Sequence, residues 1–211
     1  RFANESQKYM AFQKELFKAH TDETPCAPAY QIFDARFRRT YIAGPLMTAA
    51  MKPDWTIPKK WFDTGLVAKA NTIRELAEKL GIDPDGLEDT VAKMNRYAVT
   101  GKDEDFGRGD SAYDRYYADP SIKPNPCLAT IDEAPYYAMR IDAGDFGTLG
   151  GLDTTVNAEV KAEQGGVIPG LYAVGNASAA ILPTYPGPGA TLGPAMTMAY
   201  QAAKHINNYS E

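Results

Sequence analysis

Residues 184–194 read TYPGPGATLGP, and few local sequences leave a backbone so little freedom. Pro186 and Pro188 hold φ at about −65° and donate no hydrogen bond, while Gly187 and Gly189 admit positive φ, so two tight turns follow one another. Such a ribbon is stiff and cannot join a ladder. Its remaining N–H donors, on Gly187, Gly189, Ala190, Thr191 and Leu192, lie where an apolar helical repeat begins. A helix N-terminus has unpaired N–H groups and a partial positive charge, which favour an anion or an electron-rich carbonyl. A plain strand-to-helix turn accounts for one Pro–Gly pair. It accounts less well for two pairs with a tyrosine, Tyr185, at their head.

What surrounds this ribbon narrows the class. The chain has 211 residues, 44% of them hydrophobic, enough for one large domain or two small ones. A net charge of −5 and a pI of about 5.2 argue against nucleic acid or an anionic membrane as partner. No apolar run approaches the roughly 20 residues needed to span a bilayer, and no export signal opens the chain. That points to the cytoplasm. Cys26 and Cys127 match no metal or redox spacing and read as buried, reduced thiols. His20 and His205 are the two histidines, which leaves no basis for a metal site or a Ser-His-Asp triad. The opening RFANES lacks a methionine and suggests a piece of a longer protein.

Residues 4–19 place Tyr9, Phe12, Leu16 and Phe17 on one helical face. Residues 21–58 look loop-rich, with short strands at YQIF and RTYI and turns at 53–55 and 57–58. A helical hairpin follows. Thr72 and Glu75 have capping-box spacing before Leu76, Ala77 and Leu80, and Gly81 suits the stop. Asp83 then caps a second helix with Pro84 in its first turn and Leu87, Val91 and Met94 inward. Residues 100–126 form a polar, aromatic-rich connection in which Asp103, Glu104 and Asp105 read as solvated, and Arg108-Gly109-Asp110 as chance. YYAMRI (136–141) alternates as a strand, GDFGTLGG (144–151) bends, AEVKA starts a hairpin, and GGVIPGLYAVG contains a buried strand ending in glycine. Met196, Ala199, Tyr200, Ala203 and Ile206 make a helical face. Strand, glycine loop and helix together are how a fold approaches a cofactor closely, yet no complete G-x-G-x-x-G follows a strand.

The stretches IPGLYAVGNASAAILPTYPGPGATLGPAMTMAYQAAKH, DFGRGDSAYDRYY, KPNPCL and GDFGTLGGL resemble the 3-ketosteroid dehydrogenases, flavoproteins of the fumarate reductase and succinate dehydrogenase superfamily. The resemblance implies an α+β chain that uses FAD. Residues 1–140 would be the remainder of a substrate (capping) domain, and 141–211 the C-terminal strand-loop-helix return of a split Rossmann-like FAD domain. The N-terminal flavin-binding part would lie outside this chain.

Residue by residue, the resemblance assigns Tyr185 and the Gly189 N–H as the two donors to a steroid C3 carbonyl. Tyr9 is the base at C2, assisted by a second tyrosine outside this chain, and hydride leaves C1 for the flavin. A phenol with an ordinary pKa near 10 needs such help. Tyr9 also has a plainer reading, as core of one helix with Phe12 and Leu16. Gly175 and Asn176 would line the flavin's ribityl and phosphate region, Ala190, Thr191 and Leu192 its pyrimidine edge, and Gly150 and Gly151 would let the backbone pass the ring. The partner implied is a small, apolar, steroid-like ketone, through which any membrane association would arise. The electron acceptor is left open. A fumarate reductase-like enzyme wants cationic groups for two carboxylates, whereas the 144–151 bend offers Asp145 and Phe146 and no histidine. A 4,5-desaturating ketosteroid enzyme would share the carbonyl clamp. A domain that only binds a ligand or partner is the alternative of another class.

Overall fold

The computed structural model describes residues 1–145 and 147–208. The chain divides into two compact units, Arg1–Ala143 and Gly144–Glu211, and both mix helix with sheet.

In the first unit three strands form an antiparallel sheet: β1 (Ala29–Phe33), β2 (Val67–Ala70) and β3 (Tyr136–Ile141), with β3 in the centre. Phe33 pairs with Tyr137 and Val67 with Met139. Period-two alternation sorts the side chains into two cores. Phe33, Val67, Tyr137 and Met139 join Leu46 and Ile57 on one face, where the rings of Phe33 and Tyr137 stack 5.5 Å apart. Ala70 and Ala138 pack with Leu76 on the other. A third cluster joins Met94, Tyr97, Ala98 and Leu128.

Long-range partners override the local pattern in the first part of this unit. Helix α1 spans Tyr9–Ala19 and buries Leu16 fully, whereas Tyr9 is 38% and Phe17 62% exposed. The expected strand at RTYI is instead the end of α2 (Ala35–Thr40) and the two residues after it, and Asp34 caps that helix through the Phe37 N–H. On α2 the Arg38 side chain is 2% exposed and bonds the Met47 and Lys52 carbonyls and Asp54. Asp54, on the single turn Asp54–Thr56, also takes the Tyr137 hydroxyl and Lys69 Nζ, each at 2.6 Å. Burial alone would raise the Asp54 pKa. Those donors outweigh it and lower the value. A short helix, α3 (Lys59–Asp63), then leads to β2.

The helical hairpin forms as its punctuation predicts: α4 is Ile73–Leu80 and α5 is Pro84–Thr100. Thr72 Oγ1 accepts the Glu75 N–H at 3.1 Å, and the Glu75 carboxylate reaches back to the Asn71 N–H. Asp83 caps α5 through the Asp85 N–H.

The 100–126 connection is more built than expected. Asp103 is 2% exposed, not solvated. It takes both Arg1 guanidinium nitrogens, at 2.7 and 2.9 Å, and the N–H groups of Asp105 and Arg108. A short helix, α6 (Ala112–Tyr116), starts at Ser111. Gly109, at φ +92°, sits where any Cβ would overlap the Asn125 amide, so its place in Arg-Gly-Asp follows from packing. Cys127 is buried, but Cys26 is only half-buried.

In the second unit β4 (Glu159–Lys161) and β5 (Val167–Tyr172) pair as an antiparallel hairpin, and α7 spans Leu192–Asn208. Two expectations reverse here. Strand β5 is largely exposed, with Ile168 and Leu171 each at 42%, and the apolar stripe of α7 faces out, with Met196 at 71% and Tyr200 at 66%. Ala199, Ala203 and Ile206 are exposed with them. The face that packs is the small one: Ala202 is buried, Ala195 lies against Gly175, and His205 Nδ1 meets the Tyr172 hydroxyl at 2.9 Å. A two-stranded hairpin has no second layer to cover the larger side chains.

Two outcomes test the first unit in the full-length protein. Asp54→Ala leaves the buried Arg38 guanidinium short of its anion and should cost roughly 2–4 kcal/mol in urea unfolding. Asp103 behaves differently with pH. Burial would raise its pKa, but Arg1 and two backbone N–H groups hold it at about 2 against an ordinary 3.8. A carboxylate depressed on folding contributes stability that is complete above its unfolded pKa and is lost as pH falls towards the folded value. Thermal midpoints should therefore drop between pH 4 and 2, and Asp103→Asn should flatten that part of the profile.

Candidate active site

In the second unit the ribbon at 184–194 bends at Gly187 and turns over 188–191 before the helix, one hydrogen-bonded turn at its second Pro–Gly pair rather than the two expected. Gly187 has φ +150° and Gly189 has φ +92°, both in the region that glycine tolerates and L side chains avoid. The Ala190 N–H returns to the Gly187 carbonyl at 3.2 Å, and the Gly193 N–H to Gly189 at 2.8 Å. The Ala190 N–H, one of the donors the sequence offers, is engaged within the ribbon. Among the described residues, no acceptor takes the N–H groups of Gly187, Gly189, Thr191 or Leu192. These belong to the first turn of α7 and the ribbon before it, where the helix dipole is positive.

A second strand of chain completes the site. Residues 148–152 run beside 176–180: the Leu152 N–H donates to Ala177, Ala179 to Leu152, and Ala180 to Leu149, at 2.9–3.0 Å. The contact is close because Gly151 has no side chain, since a Cβ there would strike the Ser178 carbonyl. This packing explains Gly151 without a ligand. Gly150 differs, with no atom within 4 Å of where its Cβ would stand. Gly175 opens the single turn Gly175–Ala177, which brings Asn176 to the same place.

Between these segments lies a cleft of about 60 Å³, lined by Thr148, Asn176, Tyr185, Ala190, Thr191 and Met198, among others. That volume takes a few water-sized groups, not a multi-ring molecule. The cleft has room for a carbonyl or the polar edge of a ring. Gly175, Asn176, Tyr185, Ala190 and Thr191 all border the cleft. Gly150, Gly189 and Leu192 are in the segments that form it. Tyr185 is half-buried, and Gly189 is exposed. Thr148 and Ser178 were missed by the sequence reading. Thr148 Oγ1 bonds the Asn176 carbonyl at 3.1 Å, and Ser178 Oγ bonds that of Gly175 at 3.0 Å. The signal available was their place beside the glycine-rich bend and the Gly-Asn pair. Phe146, cited against a dicarboxylate substrate, lies outside the described residues.

Tyr9 belongs to the first unit. It is the first residue of α1, whose preceding residue, Lys8, offers no side-chain cap. The chain before it is strapped to the 103–114 loop by two buried carboxylates. Asp103 holds Arg1, and Asp114, 3% exposed, holds Asn4 at 2.8 Å. Burial would raise the Asp114 pKa, but Asn4, Ser111 and the Gly109 N–H lower it. Burial, chiefly, pushes the nearby Cys127 thiol up. Among the described residues no helix is long and apolar enough to cross a membrane.

Comparison with known proteins agrees with this architecture. Over 211 residues the chain is 45% identical to a 3-oxosteroid 1-dehydrogenase of Mycobacterium tuberculosis (strain ATCC 25618 / H37Rv), an alignment covering 98% of this chain and 37% of that protein. It superposes with a TM-score of 0.85 and 46% identity on the 3-ketosteroid delta1-dehydrogenase of Sterolibacterium denitrificans, solved with 1,4-androstadiene-3,17-dione, over 98% of this chain and 36% of that one. A flavocytochrome c3 fumarate reductase in its open conformation shares the fold alone, with a TM-score of 0.62 and 23% identity over 97% of this chain and 31% of that one. The chain thus spans a little over a third of the length of the two dehydrogenases, and it has a mixed helix-and-sheet fold of the fumarate reductase flavoprotein type. Residues 1–192 match the family model described as FAD binding domain, and the chain belongs to that family.

Proposed function

We propose that this chain is the C-terminal part of an FAD-dependent 3-oxosteroid 1-dehydrogenase, which removes a proton from C2 and a hydride from C1 of a 3-ketosteroid. The observation that carries the reading is the ribbon itself: a tyrosine on a cleft wall and, four residues on, a glycine N–H that no acceptor among the described residues takes. Loss of a proton beside a ketone puts negative charge on its oxygen. Two fixed donors aimed at that oxygen stabilise the charge without rearranging, at roughly 3 kcal/mol per donor. Tyr185 and Gly189 fill that role, with Tyr9 as the base at C2.

The residues present fit a flavin. The N–H groups of Thr191 and Leu192 remain available at a positive helix end, where they suit the electron-rich pyrimidine edge. Gly150 leaves open space for a ring to pass, and Gly175 and Asn176 line the wall towards the ribityl and phosphate groups. When bound, FAD supplies the acceptor for the C1 hydride. Ala190, on the same cleft wall, would join Thr191 and Leu192 at the pyrimidine edge.

In the finer architecture, residues 1–140 form part of the substrate domain and 141–211 the C-terminal return of a split Rossmann-like FAD domain. Support for this comes from the uncovered apolar face of α7 and β5, which a further layer would bury, and from the length of the relatives. An apolar ketone suits a wall on which, among the described residues, neither histidine nor lysine stands.

Tyr185→Phe in the full-length flavoprotein, assayed with a 3-ketosteroid and an artificial electron acceptor, should lose about 10²–10³-fold in kcat while still binding flavin. Undiminished turnover would remove Tyr185 from the mechanism, and a 4,5-unsaturated product would move the reaction to the sister desaturase. The 211-residue chain prepared alone should be colourless after addition and removal of FAD. A yellow preparation with flavin absorbance would mean that it encloses the cofactor unaided.

A further inference from the structure

We propose that Asn4 is the positioning residue for Tyr9, fixing where the phenol meets the substrate through one side chain that bonds in two directions. The proposal rests on the assignment of Tyr9 as base. Asn4 Nδ2 donates to Asp114 Oδ2 at 2.8 Å, and Asn4 Oδ1 accepts the Ser6 N–H at 2.9 Å. The first bond anchors the residue to a carboxylate that is 3% exposed. That carboxylate is itself held, by the Gly109 N–H at 2.9 Å and the Ser111 hydroxyl at 2.7 Å. The second bond bends the chain into the turn that leads to α1, and the Gln7 N–H closes that turn on the Asn4 carbonyl at 3.3 Å.

From there only Gln7 and Lys8 separate Ser6 from Tyr9. Lys8 gives no side-chain cap, so the start of the helix is not set by a cap of its own. It is set by the turn before it. Arg108 Nε closes the frame on Ser6 Oγ at 2.9 Å. Arg1 ties the same turn from its other side, since it holds Asp103 and also the Glu5 carboxylate, at 2.7 and 2.8 Å. A misplacement of about 1 Å at a reacting group can cost about 10²-fold in rate without changing how the rest of the substrate binds.

The test uses the full-length flavoprotein with a 3-ketosteroid saturated at C1–C2, protiated or deuterated at C2, and an artificial electron acceptor. Asn4→Ala should lower kcat by about ten- to a hundredfold, leave KM within about twofold, and raise the C2 deuterium isotope effect as proton removal becomes limiting. Asp54→Ala, which removes the anion beside the buried Arg38, should lower the thermal midpoint but leave kcat and the isotope effect as in the parent. If Asn4→Ala does not retain flavin, Asn4→Ser keeps an acceptor for the Ser6 N–H and should show the same pattern with a smaller loss. An unchanged kcat and isotope effect in the folded variant, or a loss shared equally by Asp54→Ala, overturns the proposal. Tyr9→Phe separates the two levels. If it abolishes turnover while Asn4→Ala behaves as the parent, only the role of Asn4 fails; if Tyr9→Phe turns over normally, the base assignment fails and takes the Asn4 role with it.

Discussion

Backbone polar groups in irregular chain must be paired when they are taken out of water, and the first unit has far more irregular chain than ladder. The buried polar side chains are how it copes. Asp34, Arg38, Asp103, Asp114 and Asn125 are its buried polar residues among those described, and each bonds loop or cap backbone. Asp34 takes the Phe37 and Asp132 N–H groups. Arg38 donates to the Met47 and Lys52 carbonyls. Asn125 serves Gly101, Arg108 and Cys127 together. Charge here fixes the course of the long loops.

The second unit follows the opposite rule. Its ribbon leaves backbone donors unpaired among the described residues, and it does so at the positive end of a seventeen-residue helix. Unpaired donors are tolerable where water or a ligand can reach them, and costly where neither can. Proline and glycine make this arrangement durable, since φ restrictions hold the bends together with the bond from the Ala190 N–H to Gly187.

Legibility in the sequence tracked the range of the forces at work. The α4–α5 hairpin could be read residue by residue because Thr72, Glu75, Gly81, Asp83 and Pro84 act on neighbours one to four positions away. The ribbon could be read for the same reason: its φ values follow from Pro186, Gly187, Pro188 and Gly189 alone. The bond from the Ala190 N–H to the Gly187 carbonyl is not legible in the same way, since it depends on how tightly the turn closes. RTYI was misjudged because nothing nearby announces that Arg38 will reach Met47, Lys52 and Asp54.

What the amino-acid order determined by itself was local: the caps, the breaks, the period-two strand at 136–141, and a stiff donor-bearing bend ahead of a helix. Tertiary structure decided which polar groups are buried and which helix face is covered. Asp103 reads as one of three acidic residues in a row until Arg1, from the far end of the unit's sequence, pairs with it. The apolar stripe of α7 reads as core, yet stays in water in this chain because burial depends on a partner surface, and helical periodicity marks a face without supplying what covers it.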